Sequence, residues 1–205
     1  LSTTVVATLF IQTSATTTTL YVDPTIIEDP TILPNDIITI RIAVDSVANM
    51  KTCEFNLTFS PAILSIQSIT KLKVQDQYPQ SAVDAGDEEG YLWVNLSYRT
   101  AVTITTNTSL LEIAFSVKDY GSTSLHFETS TLKDSSGAEI PHETSDGFVH
   151  IFMRNIAVQD VTLPYTETYA GRVIPINVTV LNDGDVTENF TVSLYYDTAL
   201  IGTQD

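Results

Sequence analysis

Hydrophobic and polar residues alternate with a period of two along most of this 205-residue chain. The clearest run is 52–59. Cys53, Phe55, Leu57 and Phe59 fall on one side of it, and Thr52, Glu54, Asn56 and Thr58 on the other. Successive side chains of an extended strand point to opposite faces, so this spacing predicts a half-buried β-strand. Similar segments recur at LYVDP (20–24), IITIRIAVDSV (37–47), MKTCEFNLTFSPAILSI (50–66) and GYLWVNLSYRT (90–100). They continue at SLLEIAFSVKD (109–119), STSLHFETSTLKD (122–134) and DGFVHIF (146–152), with Pro, Gly, Asn or Asp at the boundaries. One apolar face per strand needs a second sheet to cover it, which predicts a two-sheet sandwich.

The pattern has two further parts. At the N-terminus Val5, Ala7, Leu9 and Ile11 share one face, while Val6, Thr8, Phe10 and Gln12 share the other, ahead of a threonine tract. Residues 1–19 are therefore expected to supply an extra strand; the alternative reading is the tail of an export signal near Thr13-Ser14-Ala15. From about Met153 the alternation restarts.

Composition supports the all-β class. Thr, Ile and Val make up 68 of the 205 residues, and β-branched side chains suit pleated strands better than helices. Gly and Pro total only 16, too few for a collagen-like or disordered chain. A formal charge of −16 excludes binding to a nucleic-acid backbone and argues against docking on anionic lipid. No apolar run is long enough for a membrane span. Cys53 is the sole cysteine, so no intrachain disulfide framework exists; its place on the apolar side of its strand predicts a small core residue.

The order of turn motifs carries a resemblance. Tyr21-Val22-Asp23-Pro24 is followed by Asn35-Asp36 opening IITIRIAV, and then by Phe59-Ser60-Pro61-Ala62-Ile63-Leu64. Later come Leu111–Val117, Leu132-Lys133-Asp134 with Ser136-Gly137, Ile140-Pro141 and Asp146-Gly147. Over residues 20–152 this series resembles a cohesin domain, which implies a jelly-roll sandwich. It departs from the family where Asn35-Asp36 replaces the usual Gly-Asp and Ser60-Pro61 the usual Asp-Pro. Residues 153–205 resemble the opening half of an immunoglobulin-like, cell-adhesion-related repeat of archaeal surface proteins. Gly171, the strand Ile174–Val180, the turn Asn182-Asp183-Gly184 and the inward face Phe190, Val192 and Leu194 carry that likeness. Such a module needs about seven strands in roughly 100 residues, so an incomplete sandwich lacking its last strands is expected.

An incomplete sandwich leaves an open apolar groove, and the N-terminal strand is a candidate to fill a neighbour's. Burial of Val5, Leu9 and Ile11 there would contribute up to about 1.5–3 kcal/mol for each large side chain. Head-to-tail contacts of this kind do not close, so they build filaments. The leading expectation is thus a structural subunit of an extracellular filament, a homopolymer assembled by donor-strand complementation. Its rival is a fragment of a longer surface protein.

Five Asn-X-Ser/Thr sequons occur, at Asn56, Asn95, Asn107, Asn177 and Asn189, where composition alone predicts about two. With the net acidity they suggest an exported protein carrying N-linked glycans, at an archaeal cell surface. Asp84, Asp87, Glu88 and Glu89 form a dense acidic loop in VDAGDEEG, a candidate calcium site without EF-hand spacing. Asn182, Asp183 and Asp185 read first as turn residues. His126, His142 and His150 are scattered with no metal-ligand spacing and no paired nucleophile, so no enzyme is expected.

The cohesin resemblance implies an alternative function. Cohesins grip calcium-loaded dockerins through one exposed sheet face, which here would include the strands around Thr52–Phe59 and Tyr91–Thr100. Polysaccharide binding by Trp93 with Tyr91 or Tyr98 is a further possibility. Glycans on Asn56 and Asn95 would obstruct a dockerin on that face.

Overall fold

The computed structural model describes residues 17–165, 167, 169 and 171–205; the candidate donor residues Val5, Ala7, Leu9 and Ile11 lie outside them. Among the described residues no helix is long and apolar enough to cross a membrane. The strands are β1 (Thr19–Asp23), β2 (Ile26–Glu28), β3 (Ile37–Asp45), β4 (Val47–Thr58), β5 (Leu64–Lys71) and β6 (Gln80–Gly86). They continue as β7 (Tyr91–Ile104), β8 (Thr108–Val117), β9 (Gly121–Asp134), β10 (Glu143–Ser145) and β11 (Gly147–Ile151). Beyond these lie β12 (Ile156–Thr162), β13 (Asn177–Asn182), β14 (Val192–Tyr196) and β15 (Ala199–Gln204).

Strands β1 to β11 form the expected all-β sandwich. One sheet runs β10-β1-β3-β8-β5 and the other β2-β11-β9-β4-β7-β6. The long segments read from alternation are strands, except that 50–66 is corrected to the end of β4 and the start of β5, which a turn at 59–63 sends to opposite sheets. Three short ones, β2, β6 and β10, were not legible, because strands of three to seven mostly exposed residues show no apolar face. The VDAGDEEG segment is corrected accordingly: Val83–Gly86 closes edge strand β6, and only the next four residues form the turn into β7.

The core lies between the sheets. Ile38, Ile40, Ile42, Ile113, Phe115 and Leu64 face it from one side; Cys53, Phe55, Leu57, Leu92, Val94, Leu96 and Phe127 face it from the other. Phe59 meets Phe115 edge-on at 5.1 Å between ring centroids, and Phe55 meets Phe127 at 5.8 Å, the T-shaped contact that aromatic quadrupoles favour. Burial pushes the Cys53 thiol up to about 12, so it stays a protonated apolar filler as expected. Tyr98 also points inward, 1% exposed, which removes it from any aromatic strip on the surface.

The two ends of the sandwich close together. β1 pairs in parallel with β10, and β2 in parallel with β11, so the first and last strands cross from one sheet to the other side by side. Gly147 sits at this crossing. A Cβ there would lie 2.7 Å from Val22 Cγ1, so only glycine lets the strands come this close.

Residues 153–205 are built differently. β12 pairs with β13 and β14 with β15, and neither ladder joins the sheets of the sandwich. None of the described residues in this stretch is buried, and Phe190, read from sequence as inward, is 42% exposed. Ile176, Val178, Val192 and Leu194 line an open groove of about 410 Å³ between the two ladders.

Phe55→Ala is expected to destabilise the sandwich by about 3–5 kcal/mol, the range for losing a large aromatic from a packed core. Tyr98→Phe is expected to cost nothing, because the buried Tyr98 hydroxyl has no hydrogen-bond partner among the described residues. Urea unfolding of both variants checks the pair of outcomes.

Candidate functional site

β4 and β7 are neighbours in the interior of the six-stranded sheet, each paired on both sides. Their inward residues are committed to the core, so their alternate residues make one continuous outer face. The register sets that face in rows. Trp93 stands opposite Asn56 with Asp84 on its other side, Asn95 opposite Glu54, and Tyr91 opposite Thr58. Thr129, Thr131 and His126 of β9 extend the rows beyond β4.

Glu54 is the hub of this face. Trp93 Nε1–H donates to Glu54 Oε1 at 3.3 Å, and Asn95 Nδ2–H donates to Glu54 Oε2 at 2.7 Å. Hydrogen bonds to an ionised acceptor are the stronger kind, and here they hold three half-buried side chains in one arrangement. The indole is drawn along the sheet toward β4 instead of standing off it. At the next strand, Tyr91 O–H donates to Asp84 Oδ2 at 3.4 Å. What results is a polar surface whose side chains are tied to one another by hydrogen bonds around a half-buried indole.

At the edge of the face His126 Nδ1 lies 2.6 Å from Asp146 Oδ2, while Asp146 Oδ1 accepts the Phe127 N–H at 3.0 Å. The hydrogen bond to Asp146, its charge and the nearby Glu128 hold the His126 imidazole above its ordinary value. His142 Nε2 lies 2.8 Å from Ser130 Oγ and its Nδ1 lies 3.0 Å from the Ile140 carbonyl, which straps the 135–143 segment onto β9. Neither pairing was legible in the sequence, since the partners lie 20 and 12 residues apart and meet only through the fold.

The sequons divide by environment. Asn56 and Asn95 are half-buried on the outer face, with Asn56 Oδ1 shielded and the Asn95 amide nitrogen, the atom that would carry a glycan, engaged by Glu54. Asn107, Asn177 and Asn189 are exposed. The four acidic residues of the calcium expectation do not converge either. Asp87 accepts from Ser65 Oγ at 2.7 Å and from the Ile66 N–H at 2.6 Å, pinning β5 of the opposite sheet, while Asp84 points onto the outer face from β6. Glu88 and Glu89 project from the turn. Among the described residues no three His, Cys, Asp or Glu side chains gather as a cation would need.

A family profile described as "Cohesin domain" matches residues 24–151. The fold is similar to that of a non-cellulosomal cohesin from the hyperthermophilic archaeon Archaeoglobus fulgidus. The two are 12% identical with a TM-score of 0.57, over 66% of this chain and 91% of that one. It is also similar to a chain of a type I cohesin–dockerin complex from Clostridium thermocellum, at 14% identity and a TM-score of 0.56, covering 66% and 99%. A type II cohesin domain from the cellulosome of Acetivibrio cellulolyticus gives 18% identity and a TM-score of 0.53, covering 65% and 95%. No curated protein sequence matches the chain.

A histidine whose folded-state value is raised adds stability that is fully present below its unfolded value near 6.5 and fades as pH rises through the folded one. NMR titration of His126 is therefore expected to give a midpoint above 6.5, and Asp146→Asn is expected to return it toward that value.

Proposed function

The chain belongs to the cohesin family, and from that premise we propose that it is a non-catalytic protein-binding module that takes a dockerin-type partner on the outer face of the six-stranded sheet. The observation that carries this reading is the network centred on Glu54. It lies on β4 and β7, the strands that the family resemblance assigns to docking. It pre-orders an aromatic and two polar side chains on a flat surface, so little side-chain freedom is lost on binding. The solved Clostridium thermocellum complex pairs a similar fold with a dockerin. Glycans confined to the exposed Asn107, Asn177 and Asn189 would leave this face clear, in keeping with an extracellular or cell-surface setting.

Calorimetric titration with a panel of calcium-loaded dockerins tests the proposal. At least one dockerin is expected to bind, and Glu54→Ala and Trp93→Ala are each expected to weaken it tenfold or more, as central contacts do. Binding that both variants leave unchanged would move the site elsewhere, and a panel with no binder would overturn the reading.

The groove between β13 and β14 favours a second reading. Its apolar lining of Ile176, Val178, Val192 and Leu194 suits an alternating strand, and the Val5, Ala7, Leu9 and Ile11 face of a neighbouring copy has that pattern. Strand exchange of this kind would build an extracellular filament. Electron microscopy of the full chain and of a chain lacking residues 1–13 decides it: filaments lost on deletion support exchange, and monomers from both rule it out.

A further inference from the structure

Nothing beyond Met153 is buried among the described residues, so the C-terminal ladders are not held to the sandwich by a core of their own. A polar fastening takes its place. The Asp183 N–H donates to Asn155 O at 2.9 Å and the Asp185 N–H to Met153 O at 2.8 Å. In return the Met153 N–H donates to Asp185 Oδ2 at 2.8 Å. These bonds continue the Ile156–Asn182 register of the β12–β13 ladder back to Met153, so the ladder begins in the connector, two residues after β11 ends. Gly184 lies at the closest approach. A Cβ there would be 2.6 Å from Asn155 N, 2.7 Å from Met153 O and 3.1 Å from Arg154 Cα, all backbone atoms that cannot swing aside.

Arg154 locks the same place from the other side. Its Nη1 lies 2.9 Å from Glu188 Oε1, and its Nη2–H donates to the Pro30 carbonyl at 3.1 Å. One guanidinium thus joins the β13–β14 loop, the connector and the β2–β3 loop of the sandwich. The Glu188 side chain is only 23% exposed, so this pair is better shielded from solvent than an ordinary surface ion pair. His150 of β11 faces the same loop, with Nε2 3.8 Å from Asp185 Oδ2.

We infer that residues 183–188, with Arg154, act as a buckle that fastens the β12–β13 ladder rigidly to the cohesin module, so that the six-stranded sheet and strands β12 and β13 move as one body. The fastening acts next to β11, which is paired on both sides inside the six-stranded sheet. A load or orientation imposed on the β12–β13 ladder is therefore passed to the sheet that carries the Glu54 face instead of being lost in a free hinge. The inference concerns the junction alone and does not depend on which partner that face takes.

Backbone ¹⁵N relaxation of the full chain tests it. Amides of 20–151 and of strands β12 and β13 are expected to report one shared rotational correlation time. Gly184→Val, and separately Arg154→Gln with Asp185→Asn, are expected to give the β12 and β13 amides a shorter time of their own, while the module keeps its dispersed spectrum and unfolding temperature. Separate correlation times in the unaltered chain would overturn the inference. So would a shared time that survives in the Arg154→Gln, Asp185→Asn chain, which adds no steric clash and so keeps the test valid even if Gly184→Val fails to fold.

Discussion

Two sheets without a disulfide between them hold together chiefly by burying one face of each against the other, and the order of the β1–β11 sandwich answers to that requirement. It fixes the register of β3, β8, β4 and β7, because a slip by one residue would exchange Ile40 for Thr39 or Phe55 for Glu54 at the core. The same period of two creates the site. Once Cys53, Phe55 and Leu57 are committed inward, Glu54 and Asn56 have to face out, and the pairing of β4 with β7 sets them beside Asn95 and Trp93. Core and docking face are two sides of one constraint.

Where a face sits in a sheet decides how firm it is. β4 and β7 are each hydrogen-bonded on both edges, so the Glu54 network rests on backbone that does not fray. The register irregularities of β4 lie at Val47–Thr52 against β7 and at Met50–Thr52 and Asn56/Leu57 against β9, so its pairing with β7 is regular from Thr52 to Thr58, the stretch that carries Glu54. β6 is exposed along almost its whole length, and the parallel seam of β1 with β10 and β2 with β11 depends on the Gly147 approach to Val22. Asp87 adds a polar staple between the sheets at the β6–β7 end by reaching β5.

Alternation is a local property, so whatever rests on it was legible in the sequence: the strand class, the inward side of each long strand and the outward position of Glu54. The turn motifs were legible for a similar reason. Asn35 stands where the family resemblance expects glycine and has φ of +80°, a left-handed conformation that asparagine tolerates better than most residues. The Asp36 carboxylate then accepts the Leu33 N–H at 2.8 Å and closes that turn. Contacts made by register or by loops were not legible. The bonds from Trp93 and Asn95 to Glu54, the Asp146 partner of His126 and the strap from His142 to Ser130 all join residues that share no local pattern. Tyr98 misled as an aromatic candidate because aromatic residues are as common inside a strand pair as on its surface. The acidic run did not tell how its carboxylates are placed, because a count of charges does not say which way each one turns.

The two functions proposed above, docking on the Glu54 face and strand acceptance in the C-terminal groove, make different physical demands, and the two surfaces lie on different sheets. A docking face needs a surface that is already ordered, and Glu54 supplies this by satisfying its two neighbours with charge-assisted bonds. A strand-accepting groove needs unpaired edges and apolar side chains left open, which β13 and β14 provide through Val178, Val192 and Leu194. Placing both on one sheet would set ordering against openness. With the groove outside the sandwich and the junction at 183–188 buckled onto it, an occupant in the groove need not disturb the Glu54 network. Under the two proposed readings, the rigidity of that junction decides whether a partner on the face and a strand in the groove would hold a fixed angle to one another.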